Sequence, residues 1–495
     1  MNNRNISYGQ ILKSTSIFGS VQLVLIFFGV LKSKSIAVLI GPEGIGISSI
    51  LQISLNLIAA LTSFGLTTSG VKEMSEAYAT NDQFKINKAY TILIRLLFFT
   101  GLIGTFLTIF FSSLLSNFSF QSYNYLWSYF FLSITLLLNQ LSAGFNVLLQ
   151  SFRRITTLAK STLYGGGLSI IVIIPLYFFY RLNAIVPALI ITSLTTLIMN
   201  YYFTRDLNVK FIKLSWWQVL NEGGVMMRMG FLISLSALIT LASSYLISIY
   251  ISKYGGLNDV GLYNAGFAII NTYVGMIFTA MATDYYPRLS QVSADSKLIT
   301  KTVNEQAEIG TLLLSPIIII FIVLIKFIIS FLYSEDFIAI NVMMIFAAFG
   351  MLFKSLSWSI AFIFLAKGES KKFFWNELLF NVWMLGLSIL GYRFYGLTGI
   401  GVSFLVTYII YLCQVYFLAK RVFNFKFNNL LIRIFLINLS ITVSAAVAFL
   451  FTTSLLNYVF SFILLVTSVS YNFRILNSKI PIYYIIKTRF IKFFN

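Results

Sequence analysis

Runs of about 20 consecutive apolar residues recur along this chain almost from end to end, and no other feature restricts its folding as much. A hydrocarbon core about 30 Å thick is crossed by about 20 residues of α-helix rising ~1.5 Å each. The stretches between the runs are short and charged. Only 10% of the 495 residues carry charge, whereas 58% are hydrophobic. Soluble domains carry roughly a quarter charged residues, so this chain reads as a protein of the bilayer nearly throughout. A transmembrane barrel is excluded, because its strands alternate polar and apolar, whereas 312–331 is apolar on every face. Helices remain, since each satisfies its own backbone hydrogen bonds without water. The fold class is therefore an all-α polytopic membrane protein with about fourteen spans.

Orientation follows from lysine and arginine, which short cytoplasmic loops retain. With the N-terminus in the cytoplasm, Lys85 and Lys88, Arg153 and Arg154, Lys210 and Lys213, Lys371 and Lys372, and Lys420 and Arg421 all fall inside, followed by a basic tail from Arg474 to Lys492. Both termini are then cytoplasmic. Residues 1–13 are polar and lack the pattern of a cleaved leader, so the first span is expected to stay. The net charge of +20 is accounted for by topology and by anionic lipid headgroups, with no need for nucleic acid. A single cysteine, Cys413, and the absence of histidine exclude an internal disulfide, a thiolate cluster and a histidine base. No cofactor or metal site is expected.

The chain also matches itself at one constant shift. Gly46 falls on Gly261, Asn56 on Asn271, Met74 on Leu289, Ser75 on Ser290, Leu182 on Leu397 and Ile185 on Ile400. The matches predict two six-helix lobes, 1–204 and 229–420, joined by a cytoplasmic linker at 205–228. Residues 421–495 add two further helices and the basic tail. Six is even, so the repeat is predicted to be parallel, about an axis along the membrane normal.

A charge at mid-bilayer costs at least ~2.5 kcal/mol, which makes intramembrane ionisable residues candidates for function. Lys354 lies deepest, near the middle of a span read at 338–366. Snorkelling from there to the interface would cover about 15 Å at ~1.5 Å per residue, beyond the reach of a lysine. Lys32 and Lys34 lie in the outer third of the first helix and Arg95 in the inner third of the third. All 15 acidic residues fall at or near predicted helix ends and loops. A cationic cavity without carboxylates is expected to favour an anionic cargo such as a diphosphate.

Several stretches resemble one family. IAVLIGPEGIG at 36–46, after Lys34, is similar to the first helix and hairpin of O-antigen and related polysaccharide flippases, in the multidrug/oligosaccharidyl-lipid/polysaccharide exporter superfamily. GLTTSGVKEMSE at 65–76 resembles the end of their second helix, and 260–292 their eighth helix and the loop after it. Lys354, FLAKG at 364–368 and Glu377 fall where the family has a lysine, an A-K pair and a glutamate. The resemblance covers about residues 10–420 and implies a V-shaped two-lobe fold in the cell inner membrane. It also implies movement of undecaprenyl-diphosphate-linked oligosaccharide, an O-antigen or similar repeat unit of lipopolysaccharide biosynthesis, from the cytoplasmic to the periplasmic leaflet. Membrane lipids and other membrane proteins of polysaccharide assembly are the implied partners. The two helices after Lys420 depart from 12-helix members and resemble 14-helix relatives that bind lipid tails there.

Under this reading Lys354, with Lys34, Arg95 and Lys32, would bind the diphosphate. An enzyme of the same pathway would need a long outer loop bearing catalytic arginine or histidine, and the outer gaps are short. The alternative is a cation-coupled small-molecule or drug exporter of the same superfamily, which would need buried acids.

Overall fold

The computed structural model describes residues 3–451 and 455–479, so residues 1 and 2, the link 452–454 and most of the basic tail lie outside the described residues. In chain order the helices are α1 (Asn3–Thr62), α2 (Leu66–Ala79), α3 (Gln83–Phe110), α4 (Ser112–Phe120), α5 (Leu126–Leu132), α6 (Ile134–Ser151), α7 (Ile155–Tyr180) and α8 (Ile185–Thr204). They continue as α9 (Trp216–Ile269), α10 (Met276–Gln291), α11 (Ser296–Val323), α12 (Ile325–Leu332), α13 (Asn341–Ala366), α14 (Ser370–Phe423), α15 (Asn429–Phe451) and α16 (Leu455–Lys479). No strand occurs among the described residues. Met1–Gly261 with Leu332–Asp336 forms one compact unit, and Leu262–Phe331 with Phe337–Asn495 a second.

Among the described residues ten helical stretches are long and apolar enough to cross a membrane. Four of these ten hold two spans each, which gives the fourteen expected. Thr156–Leu207 contains α7, a short 3-10 turn and α8. The other three are α1, broken at Gly41, α9, broken at Gly256, and α14, broken at Tyr395 and Gly396. In α14 the chain reverses: Ser403 Oγ donates to Leu387 O at 2.6 Å, and Gly399 lies against the backbone of Gly391.

The repeat seen in the sequence recurs in backbone conformation, including positions where the residues differ. Gly41 (φ 65°, ψ −171°) and Gly256 (φ 80°, ψ 178°) break their helices in the same way. Arg153 and Gly368 both take positive φ, at 54° and 72°. Arg181 (φ 49°, ψ −126°) matches Gly396 (φ 56°, ψ −139°). Asp82 and Asp295 each cap a helix through Oδ1, which accepts the amides of Phe84 and Lys85 and of Lys297 and Leu298. Even the end caps agree, with Asn208 at φ 50° and Asn424 at φ 54°.

Boundaries differ from the sequence reading where polar residues continue a helix or a positive φ ends one. The second span stops at Thr62 because Phe64 and Gly65 both take positive φ, and Gly65 presses on the backbone of Gly230. The span read at 309–333 begins at Ser296, on the Asp295 cap, and stops at Val323. The segment 205–228 comprises a 3-10 turn, an extended strip and the first turns of α9.

That strip lies along α3 on a ladder of side chains. Gln83 Nε2 donates to Asn208 O, Asn87 Oδ1 accepts from Lys210 N, Thr91 Oγ1 accepts from Ile212 N, and Arg95 Nη1 donates to Leu214 O, at 2.6 to 3.2 Å. Four helical residues rise ~6 Å and two extended residues ~6.6 Å, so every fourth residue of α3 meets every second residue of the strip.

Candidate functional site

Lys354 sits at the middle of α13, a helix of 26 residues, in the second unit. Neighbouring helices hold it through close approaches at glycine. Gly401 of α14 lies on the backbone of Met343, and Gly350 lies against the ring of Phe404. These contacts advance together along both helices, so α13 and the second half of α14 run parallel. Further along, Tyr408 stands beside Lys354. On another side, Tyr285 of α10 donates its hydroxyl to Ser359 O at 2.6 Å, which fixes α10 against α13 and brings Phe278 to the same level.

The Lys354 ammonium lies 5.4 Å from the centre of the Phe278 ring and 5.5 Å from that of Tyr408. Both distances suit cation–π attraction, which strengthens where water is excluded. Behind Lys354 lies a polar chain within α14. Glu377 acts electrostatically on Lys354, and the Tyr411 hydroxyl donates to Glu377 Oε1. Asn376 Nδ2 donates to the Tyr411 oxygen at 3.1 Å, and Gln414 Nε2 donates to Asn376 Oδ1 at 2.7 Å. Glu377 and Tyr411 lie almost equally far in sequence on either side of the Tyr395–Gly396 turn, which places them at one depth.

The other three predicted site residues lie in the first unit, and the structure does not gather them around a common point. Lys34 on α1 donates to the carbonyl of Tyr333. Lys32 on the same helix is half-buried. Arg95 is the last rung of the ladder, with its guanidinium 5.8 Å from the Trp216 ring centre. Its partner is a carbonyl 119 residues away, and sequence spacing gives no sign of it.

The expectation that every acid lies at or near a helix end is corrected. Glu308 is 1% exposed and lies well inside α11, because that helix starts at Ser296 instead of near residue 309. Its Oε1 accepts from Asn428 Nδ2 at 2.9 Å. Glu377 lies two turns into α14. The site is thus a cation with a carboxylate and three tyrosine or phenylalanine rings around it, and it differs from the purely cationic cavity expected. Among the described residues no group of three or more His, Cys, Asp or Glu could hold a metal ion.

The sequence pattern of the family described as "Polysaccharide biosynthesis protein" matches residues 36–342. No curated protein matches the chain in sequence. Among solved structures, the lipid II flippase MurJ in an inward-closed conformation is similar at a TM-score of 0.66 and 16% identity, over 94% of this chain and 99% of that one. An inward-facing multidrug resistance MATE family transporter of the MOP superfamily gives a TM-score of 0.62 at 15% identity, over 82% and 94%. A MOP superfamily transporter from Pyrococcus furiosus, described as having a binding pocket of reverse polarity, gives 0.56 at 15%, over 82% and 94%. At these identities the likeness is one of fold.

Proposed function

The chain belongs to the polysaccharide biosynthesis protein family, and from that premise we propose that it is a flippase for lipid-linked oligosaccharide. The cargo is an O-antigen or similar repeat unit on undecaprenyl diphosphate, carried from the cytoplasmic to the periplasmic leaflet of the inner membrane by alternating access, with both termini of the chain in the cytoplasm. The fold shared with a protein named a lipid II flippase supports this reading, as does the extent of the match across that chain.

The observation that carries the proposal is Lys354, a cation at the middle of a membrane helix with aromatic rings on two sides. A charge there is costly and calls for a functional reason. The diphosphate of the cargo would compete with Glu377 for the Lys354 ammonium, so that loading exchanges an internal partner for an external one. Lys34 and Arg95 would assist only by giving up backbone carbonyls, and Lys32 only by turning toward the cargo. In this reading Lys354 is the principal ligand of the diphosphate.

Replacing Lys354 by alanine or glutamate is expected to abolish surface polysaccharide while the protein still accumulates in the membrane. Normal polysaccharide in both variants overturns the assignment. Lys354→Arg keeps the charge but changes the geometry offered to phosphate, and is expected to retain part of the activity.

A second reading, cation-coupled export of a small molecule, is favoured by the buried carboxylate Glu308 and the half-buried Glu377 inside membrane helices. It predicts that Glu308→Gln raises sensitivity to cationic drugs and leaves surface polysaccharide unchanged.

A further inference from the structure

The reversal of α14 at Tyr395–Gly396 lays its two halves side by side, so Lys372 near one end and Arg421 near the other come to the same level. Between the halves runs an open groove of about 450 Å³ lined by Lys372, Trp375, Leu379, Gln414, Phe417 and Arg421, with Asn376 and Leu418 completing it. The lining is graded. The two cations stand at the mouth, and Leu379 and Gln414 lie two helical turns further in, about 10 Å along helices rising ~1.5 Å per residue. Trp375, Leu379 and Phe417 are exposed, at 66%, 42% and 63%, on a protein whose apolar surface faces lipid. Asn376 and Gln414, bonded to each other, form the polar back wall.

The mouth is cationic. Lys372 pairs with Glu369 at 3.0 Å, but Lys371 and Lys420 adjoin the two lining cations in sequence, so positive charge remains in excess there. Such a rim complements the phosphodiester of an anionic lipid headgroup. The apolar floor continues from the cations in the direction an acyl chain takes from a phosphate. The repeat-related hairpin provides an internal comparison. There Tyr164, the counterpart of Leu379 in the repeat, stacks on Phe203, the counterpart of Leu418, with ring centres 5.7 Å apart. Paired rings occupy in the first hairpin the positions that leucines leave open in the second.

We propose that the groove between the two halves of α14 is a binding site for an anionic glycerophospholipid, with its phosphate between Lys372 and Arg421 and an acyl chain along Leu379 and Phe417. The groove meets the Glu377–Tyr411–Asn376–Gln414 chain at its far end from Lys354, and the proposal does not depend on the cargo reading. It requires only that α14 spans the bilayer.

The test uses the full chain in phosphatidylcholine nanodiscs and reads tryptophan fluorescence. Dibrominated phosphatidylglycerol or dibrominated phosphatidylcholine is added as quencher, and the Trp375 signal is isolated by subtracting the Trp375→Phe variant. Brominated phosphatidylglycerol is expected to quench Trp375 at about one-fifth of the concentration that brominated phosphatidylcholine needs, the advantage that one basic side chain gives an anionic headgroup. K372Q combined with R421Q is expected to remove that preference. Equal quenching by both lipids in the unmodified protein overturns the proposal, and that comparison requires no variant beyond the Trp375 subtraction. Displacement of phosphatidylglycerol by a short-chain polyprenyl diphosphate at lower concentration than phosphatidylglycerol itself also overturns it, by giving the groove to cargo.

Discussion

Gly46 and Gly261, equivalent positions of the repeat, pack in the same way inside the first unit: Gly46 lies on the carbonyl of Leu257, and Gly261 on the carbonyl of Pro42, itself the repeat counterpart of Leu257. The contact is therefore reciprocal, and a β-carbon at either glycine would overlap a backbone oxygen that cannot move aside. Gly46→Ala and Gly261→Ala are each expected to destabilise the protein by ~3 kcal/mol, the upper range for forced overpacking. Gly166→Ala, where nothing lies within 4 Å of the added carbon, is the control. Thermal unfolding in detergent distinguishes them, and equal midpoints for all three would contradict the packing.

The glycine matches made this crossing partly legible in the sequence, because a glycine forced by backbone contact is retained as a glycine in both copies. Other equivalences could not be read there. Arg153 and Gly368 share a conformation but not a residue, and letter matching is blind to conformation. Asp82 and Asp295 share a cap but fall slightly out of the register that aligns the glycines, so a search at one shift passes over them. Of the candidate site, Lys354 was legible from its depth in a span and Glu377 only through the family resemblance. The fold-back of α14 at Gly396 gives Glu377 its partner Tyr411, which spacing does not show, and Glu308 was hidden by a helix that starts on polar residues after Asp295.

Lys354 and Glu377 influence each other across the α13–α14 contact. Removing one charge leaves the other without its partner in a medium of low polarity, whereas removing both does not. K354M and E377Q are therefore expected to couple. Each single change lowers the unfolding midpoint in SDS, and the double variant is more stable than the sum of the singles predicts by about 1 kcal/mol. Strict additivity would show that the two charges do not sense each other.

Arg95 is better explained as the end of the ladder on α3 than as a cargo ligand. Arg95→Ala removes a charged hydrogen bond to Leu214 O and the stacking on Trp216, a loss of about 1.5 kcal/mol. Amide exchange over 208–215 is expected to accelerate, and Asn87→Ala and Thr91→Val, which remove neighbouring rungs, are expected to produce the same change and the same activity. Abolished transport in Arg95→Ala alone, with the strip still protected, would return Arg95 to the cargo site.

The second copy of the ladder ties the appended helices to α11. Asn304 Oδ1 accepts from Asn428 N at 2.9 Å and Asn304 Nδ2 donates to Lys426 O at 3.1 Å, as Thr91 receives Ile212 in the first copy. Asn428 then turns both ends of its side chain to use: Oδ1 accepts from Leu431 N at 2.6 Å at the start of α15, and Nδ2 donates to the buried Glu308. Asn428→Ala removes a helix cap and a donor to a carboxylate together, about 2 kcal/mol in all. The first turn of α15 is expected to lose amide protection, and the strip at 424–428 to become open to protease, while α13 keeps its protection. Glu308→Gln, which retains an acceptor for Asn428 Nδ2, is expected to leave both unchanged. If Asn428→Ala left α15 as protected as before, the appended pair would be held by apolar packing such as that of Leu431 and Phe435 and by the Ser315–Ser468 contact, and the ladder would have no part in anchoring it.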